Sequence, residues 1–296
     1  MIVGRTPRIR QAFRTAWQAL IALFIWDVAV TIFYFLSPFR APALPLTIFG
    51  TGLALLLGFR VNSAYQRWWE GRVLWGQMIN ASRSLTRALL SFIADGAGEG
   101  RALKDELVLR HIAYVHALRH QLRQQDPADS VRRVLGGEGD VPELARRNPA
   151  NGLLEGSALR IAEAQRRGWL DSMQQNRIEA VLVDISNAQG GMERLRNTPL
   201  PAQYRSFPTF FTRLFCILLP VGLVETLGVA TPVGSALAGF MFLAALQIGD
   251  DLVNPFANSI HDAPLNAMCA TIESDLLQSI GRPPVPVVEP VDGILW

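Results

Sequence analysis

Between Trp17 and Leu36 the chain runs for 20 residues with a single charge, Asp27. At about 1.5 Å per residue this run makes a helix of about 30 Å, the depth of a bilayer's hydrocarbon core. Arg5, Arg8, Arg10 and Arg14 precede it, a basic start that superficially resembles a secretory leader. The apolar run is too long for a leader's core and ends in Ser37-Pro38-Phe39-Arg40, not at a small-residue cleavage site, so a retained span is expected. An ionised carboxylate facing lipid is costly, and Asp27 is therefore expected to face protein or water, as a hydrogen-bonded group between helices before an ion site.

Composition supports a membrane chain. Hydrophobic residues make up 50% and charged residues 18%, against about a quarter charged in soluble domains. Mean hydropathy is +0.21 and the pI about 9.2. The bases flank apolar segments, with Arg60, Arg67 and Arg72 following the second, as on the cytoplasmic side of a membrane protein. No groove-reading motif accompanies them, so nucleic acid is not an expected partner. Cys216 and Cys269 give no disulfide framework, and Cys216 reads as a small core hydrophobe.

The predicted architecture is all-α, with four transmembrane helices per protomer and a cytosolic helical body. Residues 1–74 hold the N-terminal segment and the first two spans, separated by a short loop at Ser37–Pro45 with Pro38, Pro42 and Pro45. The second segment, Leu44–Phe59, carries Gly50, Gly52 and Gly58, which suggests close packing among helices, and continues unbroken to Trp69. Residues 75–206 read as the helical body, with core positions Trp75, Ile79, Ser82, Leu85, Leu89 and Phe92, then Leu103, Leu107, Tyr114, Leu118 and Leu122, around a turn at Asp95–Gly100. The Pro- and Gly-rich stretch 126–156 reads as a partly ordered connection. A short helix follows from Ser157 to Arg167 with Gly168 as its stop, then a helix capped by Asp171 with Ile178, Leu182, Ile185, Met192 and Leu195 inward. Residues 207–250 make two more spans around Pro232, with Pro220 a kink in the first. Residues 251–296 give a C-terminal helix and an extended proline-rich tail from Arg282, placed to lie along a neighbour. An even span count with basic flanks on one side puts both termini in the cytosol of a multi-pass plasma-membrane or inner-membrane protein.

Signs of catalysis are scarce. Leu135-Gly136-Gly137-Glu138-Gly139-Asp140 lacks the Lys-Ser/Thr of a phosphate loop. His116 and His120 share a helical spacing that can hold a metal, but no third ligand accompanies them, and a solvated or partner-facing pair is the simpler reading. Asp27, Arg213 and Glu225 are the only intramembrane candidates for an enzyme, and no pairing follows from the sequence. The chain reads as a non-enzyme without a metal. The informative element is the second segment: Thr51, Leu55, Phe59, Asn62 and Gln66 recur at steps of four, four, three and four and share one face. Copies of this helix around an axis would turn Leu55 and Phe59 into apolar rings able to gate by dewetting. The plainer reading of the same pattern is that Leu55 and Phe59 pack against neighbouring helices.

The run Gly58-Phe59-Arg60-Val61-Asn62-Ser63-Ala64-Tyr65-Gln66-Arg67-Trp68-Trp69-Glu70-Gly71-Arg72 resembles the signature of the bestrophins, particularly their bacterial members. Gly190-Gly191-Met192-Glu193-Arg194, Asn197-Thr198-Pro199-Leu200-Pro201 and Asn254-Pro255-Phe256 follow in the matching order. The resemblance implies a homopentamer in lipid around one axial pathway for monovalent ions, chloride by the family's name and sodium or potassium in bacterial relatives. It implies a neck lined by Thr51, Leu55 and Phe59, with a hydroxyl where relatives usually have an aliphatic, and a cytosolic aperture at Met173. Arg60, Asn62, Gln66 and Asp171 would flank these constrictions. Animal bestrophins carry an acidic calcium clasp after Asn-Pro-Phe. The stretch Ala257–Pro264 holds one carboxylate here, against the six to eight oxygens calcium takes, so neither a clasp nor a cofactor is expected. A membrane-anchored scaffold that recruits partners without conducting is the alternative.

Overall fold

The computed structural model describes residues 1–2, 9–38, 43–96, 98–136 and 141–296, with side chains of the first helix from Trp17 onward. The basic cluster at Arg5, Arg8, Arg10 and Arg14, the loop positions Arg40 and Pro42, and Gly137–Asp140 lie outside these descriptions. The described chain is all-helical, in the order α1 Ile9–Leu36, α2 Leu46–Phe92, α3 Glu99–Leu122, α4 Ala128–Leu135, α5 Pro149–Arg166, α6 Ser172–Asn197, α7 Ala202–Leu227, α8 Thr231–Leu252 and α9 Leu265–Ser279. It divides into two compact units: Met1–Val3 with Trp69–Thr198 and Pro255–Trp296, and Gly4–Trp68 with Pro199–Asn254.

In the second of these units the segments Trp17–Leu36, the start of α2 and Ala202–Leu252 are long and apolar enough to cross a membrane. Gly228, at φ 54°, separates α7 from α8, and the Thr231 hydroxyl donates to its carbonyl at 2.6 Å. The Phe215 and Phe242 rings pack edge to face at 5.0 Å between those helices, and a Cβ on Gly222 of α7 would stand 2.5 Å from Leu46 at the start of α2. Asp27 is 1% exposed and accepts from the Ser235 hydroxyl of α8 at 3.0 Å, the inter-helix position expected of it. Among the glycines expected to bring helices together, Gly50 meets the Phe215 ring, whereas Gly52 and Gly58 face open space because they lie away from the packed side of α2.

The other unit has a larger core, drawn from Trp75, Met78, Leu85 and Leu89 of α2, Leu107, Tyr114, Leu118 and Leu122 of α3, and Ile178, Leu182, Ile185, Met192 and Leu195 of α6. The helix expected up to Trp69 and the one expected from Trp75 are a single element of 47 residues, since the five residues between them contain no proline. The connection at 126–156 is more regular than expected. Pro149 opens α5 instead of interrupting the chain, because a helix's first position needs no donor and Asn148 caps it by accepting from Asn151 N at 3.0 Å. The proline-rich tail lies along its own chain, where the Ser274 hydroxyl of α9 donates to the Val285 carbonyl at 3.3 Å.

The sequence signatures prove to be close-packing devices. A Cβ on Gly71 would meet Pro255 at 3.1 Å and the Phe256 ring at 3.2 Å, so the absence of a side chain lets α2 approach the Pro255-Phe256 turn closely. A Cβ on Gly191 would strike Leu74 at 2.7 Å, which brings α6 against α2, and Arg194 of α6 pairs with Glu70. One oxygen of Glu193 accepts from Gln121, Asn148 and Gln189 at 2.8–2.9 Å and ties three segments together. Arg67 donates to the Val253 carbonyl at 3.1 Å.

Candidate functional site

An α-helix turns about 100° per residue, so the azimuth of each α2 side chain follows from its number. Thr51, Leu55, Phe59, Asn62 and Gln66 fall within an arc of about 80° by this count, and all five are exposed in the protomer, Leu55 at 62% and Phe59 at 59%. Leu53, Leu57, Arg60 and Ala64 fall on the far side, their centre roughly 170° away, and all four are buried. Leu53 and Leu57 pack with Phe215, Leu219 and Leu246. Among the described residues the helix therefore uses one face for packing in its own unit and leaves the opposite face exposed.

Along the free face the chemistry changes in order: a hydroxyl, two apolar side chains, two carboxamides. The Thr51 hydroxyl donates to the Thr47 carbonyl one turn back at 2.8 Å, so its oxygen faces outward as an acceptor. Ser63 likewise donates to the Phe59 carbonyl at 2.9 Å.

Arg60 is placed differently from the expectation. It follows Phe59 in sequence, but one residue's rotation puts it on the packed face, where it is 3% exposed and forms an ion pair with Asp250 of α8. Its aliphatic stem runs against Gly249, where an added Cβ would lie 3.6 Å from it. It does not stand beside Phe59 on the free face.

In the other unit Asp171 caps α6. Its carboxylate accepts from Gln174 N at 2.8 Å, while its own N–H donates to the Gln174 side-chain oxygen at 2.9 Å, a reciprocal capping box. This fixes the first turn of α6, and Met173 projects from that turn at 69% exposure.

His116 is not solvated. It is buried, and its Nε2 meets Glu273 of α9 at 2.7 Å, while Arg133 of α4 reaches both Glu273 oxygens at 2.9 and 3.2 Å. Burial lowers the His116 pKa, and its bonds to His116 and Arg133 hold Glu273 down at about 2 against its own desolvation. In the loop after Pro255-Phe256, Asp262 accepts from Ser259 N at 2.9 Å and from the Ser259 hydroxyl at 2.6 Å, so both its oxygens are occupied by its own loop. Among the described residues no group of three His, Cys, Asp or Glu side chains is placed to hold a metal ion.

Comparison with known proteins places the sequence and its fold among relatives. Residues 9–278 match the family described as bacterial/fungal bestrophin protein. A voltage-dependent anion channel-forming protein, YneE of Escherichia coli, is 35% identical over 268 residues, covering 90% of this chain and 84% of the relative. Another protein of that description, from Ralstonia nicotianae, is 36% identical over 239 residues and covers 81% and 78%. The crystal structure of a bacterial bestrophin homolog from Klebsiella pneumoniae superposes with a TM-score of 0.83 at 32% identity, over 90% of this chain and 98% of that one.

Proposed function

This chain belongs to the bacterial and fungal bestrophin family, and from that premise we propose that it forms a passive ion channel, a homopentamer of four-span protomers. The observation that carries the reading is the free face of α2. Five exposed side chains in register, backed by a packed face roughly opposite, are what a pore-lining helix requires. In this reading Thr51, Leu55 and Phe59 form stacked rings at the neck, with Leu55 and Phe59 as the apolar gate, and Asn62 and Gln66 hydrate the ion on one side. Met173, held out by the Asp171 cap, forms a second aperture. Both termini are cytosolic and the membrane is the inner or plasma membrane.

The ion is a small monovalent one. The names of the curated relatives favour an anion, chloride first. No ionised side chain stands on the free face between Thr51 and Gln66, so the sign of the ion is set elsewhere along the path. Calcium plays no part in gating, since the loop after Pro255-Phe256 offers one carboxylate, already held by Ser259. The test is the reversal potential of purified channels in a planar bilayer across a potassium chloride gradient. A potential at the chloride equilibrium value supports an anion channel; one at the potassium value assigns a cation channel. Tight proteoliposomes that show no flux of either ion would leave the scaffold reading in its place.

A further inference from the structure

The last turn of α3, the Asn258 loop, the first turn of α9 and Trp296 line an open cleft of about 570 Å³, within the range that holds small ligands. We propose that it binds a small phosphate-bearing solute, held by the guanidinium groups of Arg119 and Arg123.

Arg119 in the last turn of α3 and Arg123 at its C-cap stand one turn apart, a spacing at which like charges repel. Neither has an acidic partner within ion-pair distance among the described residues. Desolvation, and then the neighbouring Arg119 charge, push the Arg123 pKa down against a smaller upward pull that includes Asp262, so the pair holds two cations together without an ion-pair partner. Two carboxylates of the neighbouring loops make their hydrogen bonds locally: Asp262 with Ser259, and Asp126 with the Ala128 N–H at 2.9 Å. The Nε atoms of both arginines are buried without a partner.

The surroundings orient donors toward an anion. Arg119 donates to His120 Nε2 at 2.7 Å, which makes that nitrogen an acceptor and the imidazole neutral, as its pKa near 4 requires. Arg123 donates to Asn266 Oδ1 at 2.7 Å, which leaves the Asn266 amide NH2 as a donor. Asn266 also lies in the first turn of α9, the positive end of that helix's dipole. Gln125 and Asn258 add two more carboxamides, the latter held at φ 66°. Two guanidinium forks match the bidentate acceptor geometry of phosphate oxygens, which a halide cannot offer. The cleft is larger than one phosphate group and leaves room for an attached organic part.

The experiment uses the full chain in detergent, without added lipid, and inorganic pyrophosphate as the probe, titrated calorimetrically at constant ionic strength against a chloride control. Saturable binding at 1:1 per protomer is expected. Arg119→Gln and Arg123→Gln should each weaken it at least tenfold, while Arg83→Gln, which removes an exposed arginine paired with Asp275, should not. Asn258→Asp, which keeps a residue tolerant of positive φ but adds a negative charge at the rim, should weaken it equally and decides the matter if the arginine variants do not fold. Binding no tighter than chloride, or unaltered in folded Arg119→Gln and Asn258→Asp, overturns the proposal. Binding that appears only in nanodiscs containing phosphatidylglycerol would also overturn it, assigning the arginines to a lipid headgroup.

Discussion

Leu55 and Phe59 are exposed at 62% and 59%, while Leu57, between them in sequence, is 2% exposed. The three positions therefore separate conduction from stability within five residues. Leu57 packs in the cluster with Phe215, Leu219 and Leu246, and Leu57→Ala removes a filled volume there at a cost of about 2–5 kcal/mol. The double substitution Leu55→Ala with Phe59→Ala removes side chains that are mostly exposed in the protomer, and its effect on protomer stability is expected within about 0.5 kcal/mol per site. If the stripe lines a pore, the same truncation withdraws both apolar rings and lowers the barrier to wetting. Because large membrane proteins often unfold irreversibly, stability is read as a half-life at fixed temperature, by fluorescence-detected size exclusion. Conduction is read as single-channel current in planar bilayers. The expected result is a several-fold rise in open probability for the double variant with its half-life unchanged. Leu57→Ala should give wild-type conductance from channels that decay much faster. Unchanged conductance and gating in the double variant, or a loss of half-life as large as that of Leu57→Ala, would show that the face packs against a neighbour and does not line a pore.

Three further outcomes follow from the structure. Glu273, held at about 2 against an ordinary 4.5, gives stability that is present above pH 4.5 and lost as pH falls toward 2, at most about 3 kcal/mol and nearer 1–2 after screening at exposed Arg133; half-lives of wild type and Glu273→Gln should converge across that window, and a constant difference refutes the linkage. Gly71→Ala forces a Cβ to 3.1 Å from Pro255 and should cost about 1–3 kcal/mol, so a half-life equal to wild type would show that the turn yields freely. Current in chelator should equal current in millimolar calcium, and a steep calcium response would require ligands other than Asp262.

Much of this fold is legible in the sequence because membrane spans and amphipathic helices announce themselves by period and length. The free face of α2 is readable from the steps between Thr51 and Gln66, and the Asp171 cap from its spacing to Gln174. Arg60 is misread for the same reason that the stripe is read correctly: neighbours in sequence differ by about 100° in azimuth, and only the positions of α7 and α8 decide which face is buried. Pro149 looks like a breaker until the helix it opens is seen. His116 depends on Glu273, 157 positions away, and no local pattern carries that pairing. The cleft at Arg119 and Arg123 is hidden likewise, since Asn258 and Asn266 reach it from the far end of the chain. Family signatures such as Gly71, Gly191 and Pro255-Phe256 identify the scaffold strongly because they serve its packing, and for that reason they say little about the ion.

The ion pair between Arg60 and Asp250 bears on that last matter. A lone guanidinium one helix diameter from a permeating ion, about 10 Å, would act on it with about 1.7 kcal/mol at an effective dielectric of about 20, enough to favour anions more than tenfold. With Asp250 against it, an ion passing along the exposed stripe would meet a short dipole whose potential falls with the square of distance, and the bias would shrink to a fraction of that value. Removing Asp250 while keeping Arg60 would therefore turn a neutral wall into a positive one without altering a residue of the exposed stripe.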